Sequence, residues 1–316
     1  MIEQSTPIRY VQTVIHAIYD VHNIRVLCLR DPDGWELPAA SPGAHIDLYL
    51  NNGLTRSYSL CGDSSLNIEY TLAVKRQNNG RGGSRYIHDV LRAGDNLRIS
   101  LPRNTFPPIK PGLSYIFIAG GIGVTPFIPM LLQLEHMRAP YQMHLFYRNE
   151  PPLRDMLVKL GNSGDLVLHD RANSHNTTIA DLLCEPDDDT HAFFCGPLAM
   201  LQDFTTATTN WAPGNVHKEF FAPPEIPVSG NAYTLTLRRS ERRIDVRAGE
   251  TALNALQRAG VSVASSCEGG ICRACMVRWL DGEPKHQDLC LTDQERTEYF
   301  TPCVSGCAGA GLVIDL

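Results

Sequence analysis

Residues 267–275 read CEGGICRAC, three thiols in a C-x4-C-x2-C arrangement, with further cysteines at Cys290, Cys303 and Cys307. A wide first gap followed by a narrow second one is the spacing of a plant-type [2Fe–2S] centre, whose fourth thiolate comes from far along the chain. Gly269 and Gly270 suit such a loop, because glycine lets backbone amides approach the sulfurs and accepts positive φ. A zinc site would favour two CxxC pairs, and only one is present. The surroundings agree with a cluster-binding domain. Residues 233–237 (YTLTL) and 244–247 (IDVR) alternate as paired strands, and Leu253 to Ala259 follows as a short amphipathic helix, the opening of a β-grasp fold. Spacing leaves the fourth thiolate open. Cys303 follows Thr301-Pro302, Cys290 lies in a polar stretch, and Cys307 lies among small residues before a final strand LVIDL.

Upstream, the composition is that of an ordinary folded chain. Its 316 residues predict two or three domains. A net charge of −6 with no basic tract gives no footprint for nucleic acid. Of ten cysteines, six fall between Cys267 and Cys307, while Cys28, Cys61, Cys184 and Cys195 are scattered. Clustered thiols without an export signal in Met1 to Tyr10 point to metal or redox chemistry in a cytoplasmic protein rather than a disulfide framework. Residues 111–134 are uncharged and long enough to span a bilayer, but Gly112, Gly120, Gly121, Gly123, Pro126 and Pro129 break them into a strand, a glycine turn and a helix start. No membrane helix is expected.

From Ser114 onward, apolar strands alternate with helices: YIFIAGG, TPFIPMLLQLEHM, MHLFYR, LRDMLVKL, LVLHD, IADLLC and HAFFCGP. Such βα units build a parallel sheet that takes a nucleotide at its strand ends. Gly120-Gly121-Ile122-Gly123-Val124-Thr125-Pro126 follows the first strand, and Cys195-Gly196-Pro197 follows HAFF. The glycine turn is not the GxGxxG fingerprint and is weak evidence alone. A cysteine ending a buried strand is usually a small hydrophobe. Arg148 suits a 2′-phosphate and Asp170 a ribose hydroxyl, so NADH and NADPH both stay open at this point; solvated strand-end charges are the plainer alternative. His45, His88, His144 and His217 read as isolated structural histidines, with no acid–base dyad.

Residues 8–110 form short strands separated by Gly, Pro and Asn turns, the pattern of a β-barrel. Within it lies Arg56-Ser57-Tyr58-Ser59, offering a guanidinium fork for a phosphate, a flat ring, and hydroxyls for ring polar atoms. Alone, this is also an ordinary surface Arg/Tyr pair. Residues 80–84 (GRGGS) precede a helix expected over Tyr86 to Leu91. Gly82, Gly83 and Ser84 there suit an anion, or simply a turn with a serine N-cap.

Taken with these motifs, the whole chain resembles the reductase components of two-component Rieske oxygenases of the phthalate dioxygenase reductase type, which include vanillate demethylase reductases. The resemblance implies a multi-domain β + α/β + β-grasp protein: a flavin-binding barrel over 1–110, a ferredoxin-reductase-like nucleotide domain over 111–222, a linker over 223–230 inside the APPEIPVSG stretch, and a [2Fe–2S] ferredoxin domain over 231–316. It assigns the cluster to Cys267, Cys272, Cys275 and Cys303. It implies FMN rather than FAD, with Arg56, Gly82, Gly83 and Ser84 at the phosphate, Ser57, Tyr58, Ser59, Ala73, Val74 and Lys75 beside the flavin, and an ExF element at Glu219 and Phe221. Gly121, Gly123, Pro126, Gly196 and Pro197 would meet the nucleotide, while Arg148 and Asp170 stay candidates by strand-end position alone. Thr125 and Cys195 would stand at hydride transfer, and NADH is the family's usual donor. Arg273 departs from the family, which usually has glycine after the second ligand. The implied chemistry converts a two-electron hydride into single electrons through a flavin, delivered to a terminal Rieske non-haem iron oxygenase. Asp281, Glu283 and Asp288 would lend the ferredoxin face an acidic surface. The competing expectations are a di-iron monooxygenase as acceptor, or a flavin reductase carrying a zinc-bound docking module.

Overall fold

Alternating apolar residues place one face of five of the six N-terminal strands inward: Ile15, Leu27, Leu29, Ile46, Leu48, Leu72 and Ile99 are all fully buried. Strands β1 (Tyr10–Val21), β2 (Ile24–Arg30), β3 (His45–Tyr49), β4 (Thr55–Ser59), β5 (Tyr70–Lys75) and β6 (Asn96–Ser100) pair antiparallel in the order β4-β3-β6-β1-β2-β5. A bridge between Leu60 and Leu72 brings the two outer strands together and closes the barrel. Helix α1 (Gly83–Asp89) buries Ile87 against it. This helix begins three residues before the expected Tyr86. Gly82, at φ +84°, takes the N-cap position, and Ser84 does not cap: its hydroxyl accepts the Gln77 N–H at 3.0 Å.

The computed structural model describes residues 10–63, 65, 67–160, 164–173, 177–184, 187–221 and 231–316. It divides into two units, Met1–Phe221 and Ala222–Leu316; the expected linker lies outside the described residues. After the barrel, the first unit continues with β7 (Ser114–Gly120), α2 (Phe127–Met137), β8 (Tyr141–Tyr147), α3 (Arg154–Leu157), β9 (Asp165–Asp170), α4 (Ile179–Leu182), β10 (Thr190–Cys195), α5 (Leu198–Ala207) and β11 (Val216–Glu219). The sheet is wholly parallel, in the order β11-β10-β7-β8-β9. The uncharged 111–134 stretch becomes β7, a 3-10 turn (Gly121–Val124) and α2. Among the described residues, no helix is long and apolar enough to cross a membrane. Strand order reverses between β7 and β10, and that switch point is where open α/β sheets receive ligands. One hydrophobic cluster joins Ile24, Val26, Cys61 and Ala73 of the barrel to Phe117, Phe127, Met130 and Phe193 of the parallel sheet. Barrel and sheet therefore share a core.

The second unit contains β12 (Tyr233–Leu237), β13 (Arg242–Val246), α6 (Ala252–Arg258), β14 (Val277–Lys285), α7 (Asp293–Arg296), β15 (Tyr299–Phe300) and β16 (Gly306–Ile314), in the order β13-β12-β16-β14-β15. The β12–β16 pair is parallel and the rest antiparallel, with α6 packing Ala252, Ala255 and Leu256 onto the sheet. Thr251 caps α6 by accepting the Asn254 N–H at 3.1 Å. This is the expected β-grasp arrangement, and the cysteine loop fills the connection from α6 to β14.

Candidate functional sites

The cysteine loop draws four thiols into mutual reach. Cys267 interacts directly with Cys272 and Cys303, and Cys303 with Cys275. Those contacts, together with the amides of Gly269 and Ile271 aimed at the Cys267 sulfur at 3.4 and 3.5 Å, push the Cys267 thiol far below its ordinary range. Cys275 is lowered by Cys303, while Cys272 and Cys303 are raised by the neighbours they donate to. Four thiols in mutual contact are a donor set that iron would occupy by displacing their protons. Among the described residues, no three His, Cys, Asp or Glu side chains converge on a point fit for one ion. A two-iron cluster asks instead for two pairs of thiolates. Cys307 is elsewhere: buried in the sheet core, it donates to the Gly311 carbonyl at 3.3 Å. Burial and the Asp288 charge push the Cys290 thiol up to about 12.

Glycine is required at 270. Its φ is +73°, and a Cβ there would lie 2.7 Å from Val304 Cγ2 and 3.0 Å from Asp288 Cα. Asp288 is not the surface acid expected from sequence. It is buried, accepts the Leu291 N–H at 3.0 Å, and lies 3.5 Å from both His286 and Arg296. Charge compensation lets this carboxylate sit beneath the loop. Asp281 and Glu283 are exposed as expected.

In the barrel, the structure brings Arg56 and the glycine turn together. A Cβ on Gly83 would fall 2.5 Å from Arg56 Cγ, and the guanidinium donates to the Thr55 and Arg81 carbonyls at 2.7 and 2.8 Å. Burial pushes Tyr58 up to about 12 against the pull of Arg56, which keeps the phenol neutral. Ser59 is buried, and its hydroxyl has no hydrogen-bond partner among the described residues. An orphaned buried hydroxyl can meet a polar atom of a flavin ring, and the neighbouring Tyr58 on the same strand is half-buried. Ser57 is engaged elsewhere, donating to Asp47 at 2.5 Å; Asp47 also pairs with Arg103 at 2.7 Å. Ala73 and Val74 are buried and Lys75 is exposed.

At the switch point, the two glycine loops touch backbone to backbone. A Cβ on Gly123 would fall 2.2 Å from the Cys195 carbonyl oxygen, and one on Gly120 would fall 2.4 Å from Pro197 Cδ. Gly121, at φ +56°, has open space around it. Thr125 is buried and donates to the Ile122 carbonyl at 3.0 Å. Cys195 is fully buried, and desolvation aided by the Glu219 charge raises its thiol well above the ordinary value. It is a shape-setting group, not a nucleophile. Arg148 is exposed just beyond β8. Asp170 closes its own turn, accepting from the Ala172 N–H at 2.9 Å and the Asn173 amide at 2.6 Å. Phe221 is 38% exposed.

Three of the four named histidines have partners too remote in sequence to be read from it. His45 Nδ1 lies 3.2 Å from Glu219 Oε1, joining the barrel to the edge of the parallel sheet. His144 meets His169 at 3.0 Å, and His217 meets His191 at 2.9 Å. His88 contacts the Val74 carbonyl at 2.8 Å.

A closed antiparallel barrel sharing a core with a parallel sheet, followed by a β-grasp unit with a four-thiol loop, defines a flavin- and iron–sulfur-dependent reductase. The model of the 2Fe-2S iron-sulfur cluster binding domain matches residues 235–308. The chain is 37% identical over 315 residues to the vanillate O-demethylase oxidoreductase of Acinetobacter baylyi, covering 96% of this chain and 98% of that one. The solved phthalate dioxygenase reductase, described as a modular structure for electron transfer from pyridine nucleotides to [2Fe–2S], matches at TM-score 0.74 and 32% identity over 97% of this chain and 98% of that one. An intact type IV self-sufficient cytochrome P450 monooxygenase matches at TM-score 0.84 and 32% identity, over 97% of this chain and 41% of its own. The chain belongs to the family of oxygenase-system reductases that includes phthalate dioxygenase reductase.

Proposed function

We propose that this protein takes a hydride from NADH onto FMN and passes electrons singly through a [2Fe–2S] cluster to a separate Rieske-type oxygenase or demethylase. The observation that carries the proposal is the convergence of Cys267, Cys272, Cys275 and Cys303, with backbone amides directed at their sulfurs. Bound flavin supplies the change from two-electron to one-electron chemistry. The chain supplies the rest. Arg56 with Gly82, Gly83 and Ser84 receives the phosphate, and Tyr58, Ser59 and the Ala73–Lys75 strand end border the ring. Gly121, Gly123, Pro126, Gly196 and Pro197 form the nucleotide floor, with Thr125 and Cys195 at the transfer position. Residues 1–110, 111–222 and 231–316 are the corresponding flavin, nucleotide and ferredoxin modules. A reducing cytoplasmic setting suits ten cysteines with no disulfide among them.

The test is an anaerobic titration of purified protein with NADH, alongside iron, sulfide and flavin analysis. The expected result is one FMN and two irons per chain, with flavin and cluster bands both bleaching. Zinc in a colourless cysteine module, or a flavin band that bleaches alone, would overturn the proposal. The P450 match favours a second reading only for the acceptor: a haem oxygenase in place of a Rieske centre. Reduction of a purified Rieske component, compared with that of a P450, decides between them.

A further inference from the structure

Arg273 stands between the second and third thiols of the loop with φ +60°, a left-handed conformation that strains any residue but glycine. Its guanidinium offsets that strain with four contacts. Nη1 and Nη2 donate to the two oxygens of Glu295 at 2.9 Å each, while Nε and Nη2 donate to the Cys290 carbonyl at 2.9 and 2.6 Å. Glu295 is itself fixed. It accepts from the Thr292 N–H at 2.8 Å and its hydroxyl at 3.0 Å, while Thr292 accepts the Glu295 N–H at 3.2 Å, a reciprocal box that caps α7. One side chain therefore ties the cysteine loop to the 290–296 segment. Arg273 directly follows Cys272 in the chain, and its charge, felt at Cys290, is partly cancelled by the carboxylate it grips.

We propose that Arg273 is a positioning residue that sets both the lifetime and the reduction potential of the cluster, with Glu295 as its counterweight. The inference rests on Cys267, Cys272, Cys275 and Cys303 holding a [2Fe–2S] centre. Reduction adds one negative charge to such a centre, so a nearby cation favours the reduced form and a nearby anion opposes it. Removing Arg273 leaves Glu295 uncompensated, and removing the Glu295 charge leaves Arg273 uncompensated. A tie without electrostatic consequence would make the two variants alike; a charge pair makes them opposite.

The experiment compares the holoprotein with Arg273→Gly and Glu295→Gln. Glycine accepts φ +60° without strain, and glutamine keeps the capping box, so both variants retain the fold. Cluster midpoint potentials are measured by redox titration followed by absorbance and electron paramagnetic resonance. The expected outcome is a lower midpoint for Arg273→Gly and a higher one for Glu295→Gln, with the gap narrowing as ionic strength rises. Both variants should also lose visible absorbance to a chelator several-fold faster than the parent. Midpoints unchanged, or displaced in the same direction, would overturn the proposal. A parent that carries no [2Fe–2S] spectrum would overturn the underlying cluster assignment and the proposal with it.

Discussion

Cys303 and Cys307 are four residues apart, and only their environments separate their chemistry. The Cys303 sulfur contacts Cys267 and Cys275, whereas the Cys307 thiol is spent on the Gly311 carbonyl inside the sheet core. Cys303→Ser is expected to abolish the cluster's visible absorbance. Cys307→Ser should keep it, at a stability cost of about 1 kcal/mol for exchanging a buried thiol for a hydroxyl. Iron content and absorbance of the two purified variants check this, and the reverse pattern would refute the ligand set. At this scale the first three thiols were legible because their spacing is local. Spacing did not choose among Cys290, Cys303 and Cys307, since Cys303 is brought to Cys267 and Cys275 by the return of the chain through Thr301-Pro302 into β16. Nor did it reveal that Asp288 is a buried brace: its partners His286 and Arg296 acquire that meaning only once the loop folds over them.

The elements most visible in the sequence were those with strong periodicity, namely the six barrel strands, the parallel strands and α6. Helix α5 went unread because its ten residues, LAMLQDFTTA, follow the CGP turn without a capping side chain. The start of α1 was misplaced because the cap is a left-handed glycine rather than Ser84. What the motifs GGIGVTP and CGP did not disclose is that their backbones touch. Gly123→Ala tests that contact, since the new methyl would meet the Cys195 carbonyl oxygen at 2.2 Å and its carbon at 2.7 Å, both fixed backbone atoms at a strand end. Separating β7 from β10 there should cost about 1–3 kcal/mol, the usual scale of overpacking, and should raise the KM for NADH while cluster absorbance is unchanged. Gly214→Ala, where a Cβ meets nothing within 4 Å, is the control and should stay within about 0.5 kcal/mol of the parent. Equal effects from the two variants would count against the close packing of the loops.

On the scale of the whole chain, the first unit carries two imidazole pairs on one parallel sheet, and these give it an acid limit. Burial, with the neighbouring His169 and against the opposing pull of Asp165, lowers His144 to about 4; burial and the neighbouring His191 lower His217 to about 4. His169 and His191 are lowered too, first by burial and then by Arg171 and Lys110 respectively. In each case the folded state holds the neutral imidazole, while the unfolded chain protonates near pH 6.5. Above that pH both states are neutral and the full stability is present. As pH falls from about 6.5 towards 4, the unfolded chain binds protons that the folded chain refuses, so stability falls with pH. Calorimetry should show a transition temperature nearly level above pH 7 that declines by several degrees between pH 6.5 and pH 4.5, since each kcal/mol lost moves Tm by about 2–4 °C in a unit of this size. Replacing one member of each pair, as in His144→Gln with His217→Gln, should lower the transition at neutral pH but flatten its dependence over that same window. A double variant that retains the parent's slope would show that the acid limit lies in other groups.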